Sequence, residues 1–292
     1  MAQASTLRAV APGDIALVSF NRVPEVNPSC KYERLGPMAL ANQRRYAERH
    51  GYGFFGSVLP AADAADIPAC WHKLPAILQA LQSHSWVLWA DSDALVLNPA
   101  LGLEDLCDPL FDLVVQRPRA YFERIGQDPD AGLAAMPINS GVFMVQATSW
   151  SRQLLEDAFA LRPAASLDRF WNGIGEQEAL IKMLKRKPAD FARIRYVDGL
   201  QSHPALHQPG NRFVHFYGNQ ASHLISAGEC EEVLQRWERA LAGCEALPID
   251  LARFHWCCIQ NKVADAAIDR GGPERFLYRP EDISLAGYPA RA

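Results

Sequence analysis

The sequence predicts an α/β fold with a mostly parallel central sheet flanked by helices. Two observations predict it. Short apolar runs that lack a polar face, at 15–20 and 86–90, read as strands covered on both sides, as in the interior of a parallel sheet. Between and after such runs stand segments with apolar residues at helical spacing, such as Leu74, Ile77, Leu78 and Leu81. Strands alternating with helices place the helices on the faces of one sheet.

In chain order, the first strand, 15–20, is preceded by Pro12-Gly13 and followed by Asn21-Arg22. After a loop rich in Pro and Asn, residues 38–50 form a helix that Gly51 stops. Residues 52–58 make the next strand and complete a βαβ unit. A second helix covers 74–83, and 86–90 is a strand running directly into Asp91. Further strands are expected at 112–116, 141–146, 193–197 and 212–216, with helices at 150–160 and 175–184. From Leu247 the pattern weakens, punctuated by Gly271-Gly272-Pro273 and Pro280. The expected organisation is a flexible segment 1–14, one main domain 15–245, and an extension 246–292 packed on that domain.

A chain of 292 residues suits one large α/β domain with a modest extension. With 49% hydrophobic and 21% charged residues it can bury a real core, which excludes a disordered chain. The net charge is −4 and no long run of Lys or Arg occurs, so no nucleic acid or acidic membrane partner is expected. A neutral, sugar-like acceptor fits better. The seven cysteines are scattered, odd in number and without CxxC spacing, which reads as reduced thiols in a reducing compartment. No apolar run reaches the roughly eighteen residues of a membrane span, and residues 1–14 are too weakly apolar for a signal peptide. A cytoplasmic location is the expectation.

Asp91 and Asp93 are the residues that carry chemistry. Ligands of open α/β sheets sit beyond the carboxyl ends of the strands, and these two carboxylates lie just past an apolar strand. Alternation along an extended chain would point them the same way. Two like charges held together are costly unless a cation relieves them, and Mg²⁺ or Mn²⁺ prefers such oxygen ligands. An isolated Asp-x-Asp is more simply a solvated strand end. Here apolar residues flank it on both sides, from Trp86 to Ala90 and from Ala94 to Leu97, which leaves metal binding and strand end evenly matched.

Five segments occur in a suggestive order: Trp71-His72-Lys73-Leu74-Pro75, Val87-Leu88-Trp89-Ala90-Asp91-Ser92-Asp93-Ala94, Asn139-Ser140-Gly141-Val142-Phe143, Glu176-Gln177-Glu178-Ala179-Leu180 and Phe213-Val214-His215-Phe216-Tyr217-Gly218. Together they resemble the galactosyl/xylosyl/mannosyltransferase family GT34. The stretch Asn42-Gln43-Arg44-Arg45-Tyr46 onward to Tyr52 is similar to that family's N-terminal helix and turn, so the resemblance runs from about Ile15 to Gly218.

The resemblance implies a GT-A fold, a nucleotide-diphosphate sugar donor (UDP- or GDP-linked), Mn²⁺ or Mg²⁺, a saccharide or other hydroxyl acceptor, and transfer with retention of configuration. It makes Asp91, Asp93 and His215 the metal ligands. Gln177 would steer the reacting sugar, and Glu176 would hold a sugar or acceptor hydroxyl. Ser92 would lie near the donor's ribose or sugar, and Lys73 could reach its phosphate or sugar. Asn139 and Ser140 would contact the sugar; Ser19, Asn21 and Gly218 complete the expected donor-binding set. Several of these have a plainer reading beside them: a turn at Asn139-Ser140-Gly141, a helix-end charge at Glu176, a surface lysine at Lys73, a structural histidine at His215.

One departure stands out. The family carries a diphosphate-binding Lys five residues after its metal-binding His, and this chain has Gln220 there. Either His223 or an arginine from elsewhere takes that role, or turnover is slow, or the donor differs. The alternatives are a GT-A transferase of another family (GT8-like or inverting) and a nucleotide-sugar-binding protein with little turnover.

Overall fold

The computed structural model describes residues 10–21, 36–58, 69–96, 98–117, 123, 128–135, 137–162, 175–202 and 210–215. The expected positions Gly218, Gln220 and His223 and the 246–292 extension lie outside them.

β1 (Ile15–Asn21) is followed by α1 (Gly36–His50), β2 (Gly53–Val58), α2 (Lys73–Ala80), β3 (Trp86–Ala90) and the short β4 (Ala94–Val96). Then come β5 (Leu113–Gln116), α3 (Pro129–Ala135), β6 (Val142–Gln146), α4 (Ser149–Ala160) and α5 (Glu176–Arg186). The last elements are β7 (Ile194–Val197), β8 (Gln201–Ser202) and β9 (Phe213–His215). Helix α1 ends as the sequence predicts. Gly51 takes φ 75°, and the amides of Gly51 and Tyr52 return to the carbonyls of Glu48 and Ala47, the Schellman arrangement that satisfies the last turn.

Six strands form the main sheet, in the order β2-β1-β3-β6-β5-β7. All are parallel except β6, which runs against both its neighbours. The sequence-based expectation of one sheet needs one amendment. β9 is not in it: β9 pairs antiparallel with β4 and parallel with β8 in a second sheet of three strands.

Cover on both faces explains why β3 and the first four residues of β1, Ile15 to Val18, are apolar. Ala16, Val18, Val87 and Trp89 pack toward Leu74 and Ile77 of α2, Leu155 of α4 and Leu180 of α5. Ile15, Leu17 and Leu88 point the other way, toward Tyr46 and Ala47 of α1 and Val96 and Phe213 of the small sheet. Each of the larger aliphatic side chains among these, taken out of water, stabilises the fold by about 1.5–3 kcal/mol. The two described cysteines, Cys70 and Cys107, are partly buried free thiols, and burial pushes the Cys107 thiol up to about 12. Among the described residues no helix is long and apolar enough to cross a membrane.

Candidate active site

Strand β3 leaves the sheet at Ala90, where the Asp91 amide donates to the Gly141 carbonyl (2.8 Å). The chain then turns back, with the Ala94 amide on the Asp91 carbonyl (3.0 Å). The two carboxylates therefore meet through a tight turn and not through extended alternation. Gln43 of α1 secures that turn: its Nε2 donates to the carbonyls of Asp91 (3.1 Å) and Ala94 (2.8 Å). Its neighbour Asn42 pairs with both backbone groups of Val96, covering the side of β4 that β9 does not. In the sequence both amides stand only within the stretch that resembles the family's N-terminal helix, with no role of their own assigned.

β4 brings in the third group. Its Ala94 pairs with His215 of β9, and His215 Nε2 comes to 3.2 Å from Asp93 Oδ1 and 3.6 Å from Asp91 Oδ2. One donor atom from each of the three residues lies within 4.8 Å of the others. Adjacent ligands of an octahedral ion at its usual bond lengths are about 3 Å apart and opposite ones about 4 Å. Two carboxylates and an imidazole at this spacing fit a divalent ion such as Mn²⁺ or Mg²⁺, and three protein ligands leave positions free for substrate oxygens.

Gly141 makes the approach possible. A Cβ at this position would lie 1.8 Å from His215 Cε1, so the ring occupies the space that any side chain would take. Gly141→Ala is expected to push His215 away from the carboxylates. The fold loses about 1–3 kcal/mol to overpacking, read by urea denaturation, whereas Mn²⁺ binding read by titration falls below detection.

Behind the acidic pair lies a buried polar network. Lys73, 3% exposed, is no surface lysine. Its Nζ is 2.6 Å from Glu176 Oε1, 3.0 Å from Asp91 Oδ1 and 2.9 Å from the Ser140 carbonyl. Burial alone would lower its pKa; Asp91 and Glu176 outweigh that and hold it above the ordinary lysine value. Glu176 shows the converse balance: burial would raise it, but Lys73 and the Ser140 hydroxyl (2.9 Å) hold its carboxyl below the usual range. Asp91 Oδ1 also accepts from Trp89 Nε1 (2.6 Å). Removal from water raises the Asp91 carboxyl, Lys73 opposes this and Asp93 adds to it; the 30% exposure of the side chain moderates the effect. One oxygen of Asp91 thus faces the network and the other faces His215.

Gln177 joins the same cluster, its Oε1 accepting from the Ser140 amide (2.9 Å). Asn139 Oδ1 accepts from the Gly141 amide (3.0 Å), the turn that the residue types suggest. Because β6 is antiparallel, its beginning lies where the parallel strands end. That places Asn139, Ser140 and Gly141 beside Asp91. Ser92 is buried within the turn. Ser19 and Asn21 leave β1 at the same edge, since Val18 is level with Trp89. Ser19 Oγ is buried and has no hydrogen-bond partner among the described residues, an orphaned polar atom of the kind that a ligand satisfies. Asn21 lies against the start of α1, where only a glycine, Gly36, leaves it room.

Residues 17–110 match the sequence model of the galactosyl transferase GMA12/MNN10 family. The chain is GT34-like. An uncharacterised α-1,2-galactosyltransferase of Schizosaccharomyces pombe is 30% identical over 210 residues, which are 61% of this chain and 55% of the yeast protein. A second α-1,2-galactosyltransferase of the same yeast is 34% identical over 71 residues, 23% of this chain and 19% of its own length. The chain thus spans about half the length, or less, of these relatives. Among solved structures, a glycosyltransferase involved in glycosylating the major capsid of PBCV-1 superposes with a TM-score of 0.50. That likeness covers 76% of this chain and 98% of the other, at 20% identity. The architecture of this GT34-like chain is accordingly the GT-A type.

Proposed function

We propose that this chain is a metal-dependent glycosyltransferase that moves a hexose or pentose from a nucleotide-diphosphate sugar to a hydroxyl acceptor, with retention of configuration. The observation that carries this reading is the convergence of Asp91, Asp93 and His215 at ligand spacing at the ligand-binding edge of a GT-A sheet. A divalent ion held there supplies Lewis-acid stabilisation to a departing diphosphate. The rest is done by groups of the chain. Ser140, Glu176 and Gln177 are preorganised by mutual hydrogen bonds next to the acidic pair, where the sugar of a metal-bound donor would lie. Glu176 Oε1 is engaged by both Lys73 and Ser140, which leaves it a poor covalent nucleophile. This favours a front-face displacement: the acceptor oxygen bonds to the anomeric carbon, the bond to the phosphate oxygen breaks, and that oxygen receives the acceptor's proton. The yeast relatives are named α-1,2-galactosyltransferases, so UDP-galactose is the first donor to try.

The test is a thermal-shift series of UDP- and GDP-sugars with Mn²⁺, with Mg²⁺ and with EDTA, followed by donor hydrolysis and transfer assays. A ligand at 100 times its Kd stabilises the folded state by about 2.7 kcal/mol, and EDTA is expected to remove that gain. Donor stabilisation undiminished by EDTA overturns the metal role. Binding without hydrolysis or transfer shows a nucleotide-sugar-binding protein, and an inverted product anomer overturns retention.

A further inference from the structure

We propose that Gln201 is a positioning residue: it holds His215 in the Nδ1–H tautomer, so that the Nε2 lone pair faces the space between Asp91 and Asp93. The inference rests on the reading of those three residues as a metal site and adds a residue to it.

Gln201 opens β8 and is 4% exposed. Its side-chain nitrogen donates to the Val142 carbonyl (2.8 Å) and the Asn139 carbonyl (3.3 Å). Carbonyls only accept, so these two contacts fix which end of the amide is the NH₂ group. The remaining end, Oε1, lies 3.0 Å from His215 Nδ1. An amide oxygen also only accepts, so the proton of that bond sits on Nδ1. The Gln201 backbone N–H donates in turn to Gln116 Oε1 (3.1 Å), which ties the residue to the end of β5. A neutral ring with its proton on Nδ1 presents an unprotonated Nε2 to Asp93 Oδ1 and Asp91 Oδ2, at 3.2 and 3.6 Å. That is the protonation pattern a metal-binding imidazole needs, with its other nitrogen bonded to a second group.

The carbonyls that orient Gln201 flank Ser140-Gly141, the segment that meets Glu176, Gln177 and the His215 ring. The same amide therefore sets both the angle of the ring and its distance from the Ser140 turn. Nothing in the sequence marks Gln201; its role comes from the pairing of β8 with β9, which puts it level with Phe213.

The experiment uses the full chain as wild type, Gln201→Met and Gln201→Glu. Histidine ¹⁵N NMR of the metal-free wild type is expected to show neutral His215 as the Nδ1–H form; the Nε2–H form overturns the proposal. Mn²⁺ titration followed by EPR is expected to give a Kd weakened roughly tenfold to a hundredfold in Gln201→Met. Gln201→Glu keeps an acceptor for Nδ1–H but loses both donors to the carbonyls. It is expected to be less stable in urea yet to bind Mn²⁺ within a few-fold of wild type. A purely structural role would make both variants lose Mn²⁺ affinity in step with stability, and that result overturns the proposal. So does a folded Gln201→Met with wild-type affinity. No Mn²⁺ binding by the wild type overturns the metal reading itself and this proposal with it.

Discussion

Replacing Asp93 by alanine is expected to abolish metal-dependent donor turnover, a loss of roughly a thousandfold or more, or about 4 kcal/mol of transition-state stabilisation. The geometry makes Asp93 harder to replace than Asp91. Asp91 divides its oxygens between Lys73 and Trp89 on one side and His215 on the other. Asp93 Oδ1 is the carboxylate oxygen nearest to His215 Nε2. The same substitution is not expected to unfold the protein. Asp93 adds to the electrostatic strain on Asp91, and relief of that repulsion offsets the lost contact with His215. The diagnostic result is therefore a split. The urea midpoint of the metal-free variant stays close to wild type, while stabilisation by Mn²⁺ and donor turnover both vanish. Full activity in Asp93→Ala would sink the mechanism.

Lys73→Met is expected to do the reverse, striking stability first. Methionine roughly conserves the volume of the lysine stem but leaves Glu176, 4% exposed, without its cation, and removes a partner from Asp91. Breaking a buried pair by deleting one charge costs about 3–5 kcal/mol, a large part of the stability of an ordinary domain. Urea denaturation at neutral pH reads this directly. The double variant Lys73→Met/Glu176→Gln removes both charges and is expected to recover much of the loss, because a neutral amide can keep the hydrogen bond from Ser140. If the single variant is as stable as wild type, the Lys73–Glu176 contact is not a buried ion pair in solution.

The contrast between these residues shows what the sequence could reveal. β1 and β3 were legible because burial on both faces removes polar residues from consecutive positions, and α2 because its apolar residues recur at helical spacing. β4 and β8 were not: three and two residues are too few to show a period. Yet β4 is what delivers His215, by pairing with β9 outside the main sheet. The acidic pair was legible by its place after an apolar strand, although a turn and not alternation brings the carboxylates together. Lys73 shows the limit of local reading. A lysine opening an amphipathic helix looks exposed, and only partners from the turn after β3 and from α5, the latter 103 residues away, reveal it as buried. Gln43 and Gln201 are more hidden still, since a neutral amide carries no pattern until its acceptors are known.

The network around Lys73 also fixes the charge of the site. Among the described residues, Asp91, Asp93 and Glu176 are three carboxylates within one connected cluster, against the single ammonium of Lys73. The ionised cluster therefore carries two excess negative charges, and one divalent cation restores electroneutrality. A monovalent ion would leave the cluster anionic and a trivalent ion would leave it cationic. The Asp91 carboxyl is raised by its removal from water first, against the opposing pull of Lys73, and Asp93 and Glu176 add to the rise. On the proposed reading of this site as a metal centre, the count of charges would select valence before the size or coordination preference of the ion enters.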